Sequence, residues 1–147
     1  MNLKVRWLTD LAFEAKNEQG LRFFMDSLQE DGSPGIGPKP MEMILAALAG
    51  CTGMDVVSIL RKMRVNLESF EMEVKATRAD EHPKVFKEIR LSYHLKTGND
   101  EDAEKVLKAV NLSQEKYCSV GAMLKKATSY HYRVVHNDRE IFKTEDF

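Results

Sequence analysis

Between Met41 and Met63 runs MEMILAALAGCTGMDVVSILRKM, the stretch that most limits what this chain can fold into. It reads as one long helix. Its first half, Met43 to Cys51, is apolar on every side, and a helix apolar all round is expected to be buried. Thr52, Asp55 and Ser58 interrupt the apolar run, so its apolar length is expected to fall short of a bilayer span. Pro40 stands just ahead, where a missing N–H costs nothing. Arg61, Lys62 and Arg64 close the helix with charge suited to the negative end of its dipole. The stretch therefore predicts a central core helix carrying a thiol, Cys51, in its middle.

The rest of the chain supplies sheet and short helices. Leu3 to Leu8 alternates apolar and polar residues, as a half-buried strand does. Leu11 to Lys16 repeats the pattern, with Leu11, Phe13 and Ala15 on one face. After a turn at Asn17 to Gly20, Leu21 to Asp26 makes a third strand, and the three form an antiparallel meander. Gln29 to Pro40 holds three Gly and three Pro and is expected to be loop throughout. Glu68 to Ala79 places Phe70, Met72, Val74 and Ala76 on one side. Val85 to Lys96 has Phe86, Ile89, Leu91, Tyr93 and Leu95 as its apolar set, with a phase slip after Phe86 that suggests a bulge. The two strands predict a hairpin across the turn at Asp80 to Lys84. Gly98-Asn99-Asp100 caps a helix from Asp102 to Val110. Ser119 to Lys126 is a second short helix with Cys118 at its start. Tyr130 to His136 is a last strand, and the tail from Arg139 is a short strand or arm. The architecture is α+β.

A chain of 147 residues fits one domain, Met1 to Phe147. Its 22 basic and 23 acidic residues leave a formal charge of −1, which gives no electrostatic reason to expect nucleic acid or an anionic membrane as partner. The N-terminus has no signal-peptide core, so the expected location is the cytoplasm, where thiols stay reduced.

Cys51 and Cys118 are the only cysteines, and there is no CxxC, no HExxH and no clustered histidine, so no metal site is expected. From spacing alone both cysteines are small buried hydrophobes. Position argues otherwise. Cys118 lies at a helix N-terminus, where free N–H groups stabilise a thiolate. Cys51 sits between Gly50 and Gly53, which leave room for a small ligand. Asp55, four residues on, shares a helix face with Cys51. Glu42 falls on the opposite face from Cys51 and is equally a first-turn acid serving the dipole. His82, His94, His131 and His136 lie apart on turns and strands. Arg6, Arg22, Arg90 and Arg133 sit on polar strand faces, where one of them could supply a cation to a thiolate.

Pro40 to Cys51, PMEMILAALAGC, followed by Tyr117-Cys118-Ser119-Val120, resembles the OsmC/Ohr family of osmotically induced and organic-hydroperoxide-resistance proteins. The order of strands, cysteine helix, hairpin and second cysteine fits that family over nearly the whole chain. The resemblance implies an OsmC-like fold with antiparallel sheets wrapped around the long buried helix, in an intertwined homodimer with active sites at the subunit interface. It implies a cysteine peroxidase. Cys51 would attack an organic hydroperoxide, Cys118 would condense with the resulting sulfenic acid, and a lipoyl-type dithiol would restore both thiols. No cofactor, metal or flavin, is needed. Glu42, Arg22 and Arg6 are the candidates to tune Cys51. The chain departs from the family's pattern ten residues before the first cysteine, where Met41 stands in place of a glutamate. That departure, with Asp55, leaves a second expectation: a dimer with little or no catalysis, binding a small apolar ligand at the interface pocket. A third is a redox sensor or structural protein whose cysteines never pair.

Overall fold

The structure, a computed structural model, describes all 147 residues. It divides into two compact units, Met1–Ala46 and Ala47–Phe147.

In the first unit β1 (Leu3–Thr9), β2 (Ala12–Asn17) and β3 (Arg22–Met25) form an antiparallel sheet in that order. Register puts Val5, Ala15 and Phe23 in one row and Trp7, Phe13 and Met25 in the next, so one face is apolar. The half-buried reading of these strands fails in detail. Leu3, Val5, Trp7, Leu11, Phe13 and Phe23 are exposed, and Glu14 is buried with Ala12 and Ala15. Alternation fixes which side chains share a face, not whether anything covers it.

The Gln29 to Pro40 segment is loop except for Pro40, which opens the long helix, and one 3-10 turn, Gln29–Asp31, that the Gly and Pro content had argued against. It fits ahead of Pro34 and ends at Gly32, whose φ of 82° is left-handed. The buried Asp26 carboxylate gathers the loop, accepting the N–H groups of Ser27 at 2.7 Å and Ile36 at 3.0 Å and the Ser33 hydroxyl. Burial alone would push this carboxyl up, but the donors outweigh it and hold Asp26 below its ordinary value. Only glycine fits at position 37, where a Cβ would stand 2.4 Å from the Phe24 carbonyl oxygen.

The long helix, α1, runs from Pro40 to Lys62. It is not buried all round. Leu48, Thr52, Gly53, Val56 and Leu60 are buried, a stripe at helical spacing, while Ile44 and Met54 are 38% and 72% exposed. An 18-residue window also has a mean hydropathy of 1.9, long and apolar enough to span a membrane by length and composition, so the interruptions do not exclude a span as expected. In this fold the helix instead packs its stripe into a protein core. Val65 N–H bonds the Leu60 carbonyl at 3.0 Å beyond the last turn, with Arg64 left-handed at φ 57°.

The second unit holds a four-stranded sheet in the order β4 (Leu67–Arg78), β5 (Phe86–Thr97), β6 (Ser129–His136), β7 (Arg139–Lys143). β4 and β5 are the expected hairpin, and its bulge is real. Thr77 opposes Glu88 while Arg78 opposes Phe86, leaving Lys87 extra. The sheet is antiparallel except between β5 and β6, which run parallel. A parallel pair needs a long crossover, and α2 (Ala103–Leu112) and α3 (Ser119–Leu124) lie within it. Val56 and Leu60 of α1, Leu91, Tyr93 and Leu95 of β5, and Val106 and Val110 of α2 share one core. Each fully buried side chain there contributes about 1.5–3 kcal/mol.

Candidate active site

Two helices of the second unit converge. Cys51 and Asp55 are one turn apart on α1, and Cys118 begins α3. The two sulfurs and a carboxylate oxygen of Asp55 all lie within 4.8 Å of one another. Both thiols are free; Cys51 is partly exposed and Cys118 is buried.

A local irregularity sets Cys118. Between α2 and α3 the chain makes a π turn, Ser113–Tyr117, closed by Cys118 N–H bonding the Ser113 carbonyl at 2.9 Å. This wide turn was not foreseen in the sequence; such turns are frequent at functional sites. Cys118 then leaves the helical region and caps α3, its sulfur accepting the Gly121 N–H at 3.2 Å. A Cβ on residue 121 would meet that sulfur at 3.2 Å, which accounts for the glycine.

The cap does not make Cys118 acidic, contrary to expectation. Burial pushes its thiol up to about 11, and the neighbouring Cys51 and Asp55 add to the rise. One N–H donor does not offset removal from water and the closeness of Cys51 and Asp55.

Behind the thiols lies a buried polar chain. Tyr93 Oη is 2.7 Å from Thr52 Oγ1, Thr52 Oγ1 is 2.8 Å from Ser113 Oγ, and Ser113 Oγ donates to Asp55 Oδ2 at 2.9 Å. The Gln114 amide donates to Tyr93 Oη. An ionised carboxylate can only accept, and each hydroxyl has one proton. The Ser113 proton therefore goes to Asp55, the Thr52 proton to Ser113 and the Tyr93 proton to Thr52. Every bond in the chain points towards Asp55. Burial holds the Tyr93 phenol above its ordinary range, so it stays a donor.

Lys125 is the cation that sequence reasoning missed. Its ammonium donates to the Gln114 carbonyl at 2.6 Å and sits 5.1 Å from the Tyr130 ring centroid. Burial lowers its pKa, and the charge of Cys118 opposes that fall. Its signal was position, just past the end of the short helix that Cys118 starts.

The other candidates take different places. Glu42 accepts the Lys39 N–H at 2.9 Å, capping α1, which is the first-turn role expected as its alternative. Arg6 and Arg22 meet in the first unit on one partner, the buried Glu14, at 3.1 and 3.2 Å. None of the four histidines joins the thiol cluster; His136 is buried against Thr97 Oγ1. Of the two flanking glycines, Gly50 leaves open space beside α1, but the space at Gly53 is filled by Met72, whose Cε stands 2.6 Å from where a Cβ would lie. An apolar groove of about 700 Å³ runs past Gly50, Met54, Val57, Phe70 and Met72. A cleft of about 360 Å³, lined by Asp55, Ser58, Leu112 and Tyr117 among others, opens on the carboxylate.

An α+β chain that sets two free thiols beside a carboxylate at the meeting of two helices defines a thiol-bearing class of protein. Residues 31–132 match the family described as OsmC-like protein, and the chain belongs to that family. It is 39% identical over 137 residues to Protein YhfA of Escherichia coli K12, covering 92% of this chain and 98% of that one. A solved hypothetical protein from Aquifex aeolicus VF5 superposes with a TM-score of 0.75 at 27% identity, covering 92% and 96%. The organic hydroperoxide resistance protein OhrB of Bacillus subtilis shares the fold, with a TM-score of 0.58 at 20% identity over 90% and 96% of the two chains.

Proposed function

We propose that this protein is a thiol-dependent peroxidase that reduces organic hydroperoxides, a role in oxidative stress defence. The observation that carries the reading is the asymmetry of two neighbouring thiols: Cys51 is reachable from solvent, and Cys118 is buried and holds its proton well above neutral pH. The Cys51 thiolate attacks the terminal peroxide oxygen. The O–O bond breaks, Cys51 becomes a sulfenic acid and the alkoxide takes a proton to leave as an alcohol. Cys118, still a thiol, then condenses with the sulfenic acid, and a water leaves as the disulfide forms. A lipoyl-type dithiol exchanges with the disulfide, returning two thiols and leaving oxidised dithiol. The fold is shared with proteins named for organic hydroperoxide resistance, which supports the substrate class.

The working form in this reading is a cytoplasmic homodimer. The apolar face of β1 to β3 and the uncovered side of α1 support it, because patches of this kind are seldom left in water. Glu42, Arg6 and Arg22, the residues weighed for tuning Cys51, are engaged by Lys39 and Glu14, and it is Asp55 that stands beside the thiols.

Stopped-flow mixing of the reduced protein with an alkyl hydroperoxide tests the reading. Cys51→Ser should be inert, and Cys118→Ser should complete one turnover and stop as a trappable sulfenic acid. Consumption by Cys51→Ser at the parent rate would refute it. The groove along Gly50 and Met72 favours a second reading, a binding protein for a small apolar ligand. Saturable uptake of such a ligand by a protein that leaves hydroperoxide untouched would select it.

A further inference from the structure

The sequence holds no metal-binding spacing, yet the fold assembles a metal-ligand set. Cys51, Asp55 and Cys118 bring two sulfurs and a carboxylate oxygen to within 4.8 Å of one another. We propose that the reduced protein binds a thiophilic divalent cation, Zn²⁺ by class, through Cys51, Asp55 and Cys118, with the fourth position open to water or an incoming ligand.

Four observations support it. First, the donors suit the ion: thiolates select zinc over hard cations, and three protein ligands with one open position are the pattern of reactive rather than structural zinc sites. Second, the spacing is nearly right. With Zn–S near ~2.3 Å and tetrahedral angles, two sulfurs stand ~3.8 Å apart. Closing from within 4.8 Å to that separation is a movement of about 1 Å at most. Third, the ligands are already oriented from behind. Ser113 holds Asp55 by Oδ2 at 2.9 Å, leaving Oδ1 to ligate, and the Gly121 N–H points at the Cys118 sulfur at 3.2 Å. Outer contacts of this type hold metal ligands in place. Fourth, there is a way in, because Cys51 is partly exposed and the cleft lined by Asp55, Ser58 and Tyr117 opens on the carboxylate.

Binding releases the proton of each thiol that is still protonated, so two thiolates and one carboxylate surround a dication and leave one net negative charge. Neither sulfur can then enter a disulfide until the ion leaves, and a disulfide in turn abolishes the site. The proposal does not rest on the peroxidase reading. A chain that consumed no hydroperoxide would still bind the ion.

The test uses the full-length, tag-free, reduced protein, stripped of metal and titrated anaerobically with Co²⁺. Expected are one ion per chain, a near-ultraviolet sulfur-to-cobalt charge-transfer band, intense visible bands of tetrahedral cobalt, and displacement of both by Zn²⁺. Cys51→Ser and Cys118→Ser should lose the charge-transfer intensity in part or whole. Asp55→Asn should weaken binding by at least about 10-fold, and Ser113→Ala, which touches no ion, by about 10–100-fold. Circular dichroism and a count of free thiols, two for the parent, Asp55→Asn and Ser113→Ala and one for each cysteine variant, certify each preparation as folded and reduced. Failure of such a preparation to take up cobalt with a charge-transfer band would overturn the proposal, as would an Asp55→Asn protein binding with parent affinity. Hydroperoxide consumption by the metal-free protein is read separately, so loss of either conclusion leaves the other standing.

Discussion

Thr52→Val is the sharpest perturbation of the buried polar chain. It keeps the shape of the side chain and removes one oxygen. Thr52, Tyr93 and Ser113 are all 0% exposed, so water cannot replace what is lost. Tyr93 loses its acceptor and is left a buried donor without a partner, because its Gln114 contact uses only its lone pair. Ser113 loses a donor but keeps its bond to Asp55. An orphaned buried polar group costs about 1–3 kcal/mol, and a lost neutral hydrogen bond about 1 kcal/mol. The sum is about 2–4 kcal/mol. For a chain of this size each 1 kcal/mol moves the melting temperature by about 2–4 °C, so a fall of about 4–16 °C is expected. Thr52→Ser keeps the hydroxyl and should lose only about 1 kcal/mol for a methyl group. Urea unfolding of the reduced proteins at one fixed concentration measures both, and Tyr93→Phe closes a double-mutant cycle. In the Thr52→Val background, Tyr93→Phe should cost much less than in the parent, since its hydroxyl is already stranded. A Thr52→Val protein within about 0.5 kcal/mol of the parent, or additive effects in the cycle, would show that the chain is not the cooperative unit described.

Three further outcomes are expected. Cys118 keeps its proton to about 11 when folded and to ~8.5 when unfolded, so the folded state binds more protons between those values; stability should fall as pH rises through that window, at up to ~1.4 kcal/mol per pH unit, and Cys118→Ala should flatten the slope in alkaline unfolding curves. Asp26 has the opposite sign: its carboxylate is favoured in the fold, so its contribution is present above the unfolded value of ~3.9 and is lost as pH falls through the lower folded value, and Asp26→Asn should flatten the acid limb. Gly37→Ala drives a Cβ into the Phe24 backbone and should cost about 1–3 kcal/mol, whereas Gly50→Ala, with nothing within 4 Å, should gain up to about 1 kcal/mol in denaturant unfolding; a loss at Gly50 would mean that another molecule packs there.

What could be read in advance depended on whether the signal was local. The β4–β5 hairpin and its bulge followed from alternation and one phase slip, because a pleated strand repeats every two residues wherever it lies. The direction of β6 did not, since parallel and antiparallel strands of this length alternate alike. The meeting of Cys51 and Cys118 came only through family resemblance, because no local rule brings two helices together. Asp55 was visible as a neighbour of Cys51 by helix spacing. Thr52 read as an interruption of an apolar run, when it is the centre of a buried chain whose other members lie at positions 93, 113 and 114. All-round burial of α1 failed because an apolar composition states what a helix can cover, not how much of it one chain supplies.

The wide turn from Ser113 to Cys118 has a consequence beyond its own shape. Both residues that address Asp55 from this segment, one by its hydroxyl and one by its sulfur, stand at the two ends of a single turn of six residues, Ser113 to Cys118. Removing any one of the four residues between them would restore ordinary winding and swing everything after it by about 100°. The hydroxyl would stay on the carboxylate while the sulfur turned away, so one extra amino acid decides whether this chain has two thiols in a common site or two isolated ones.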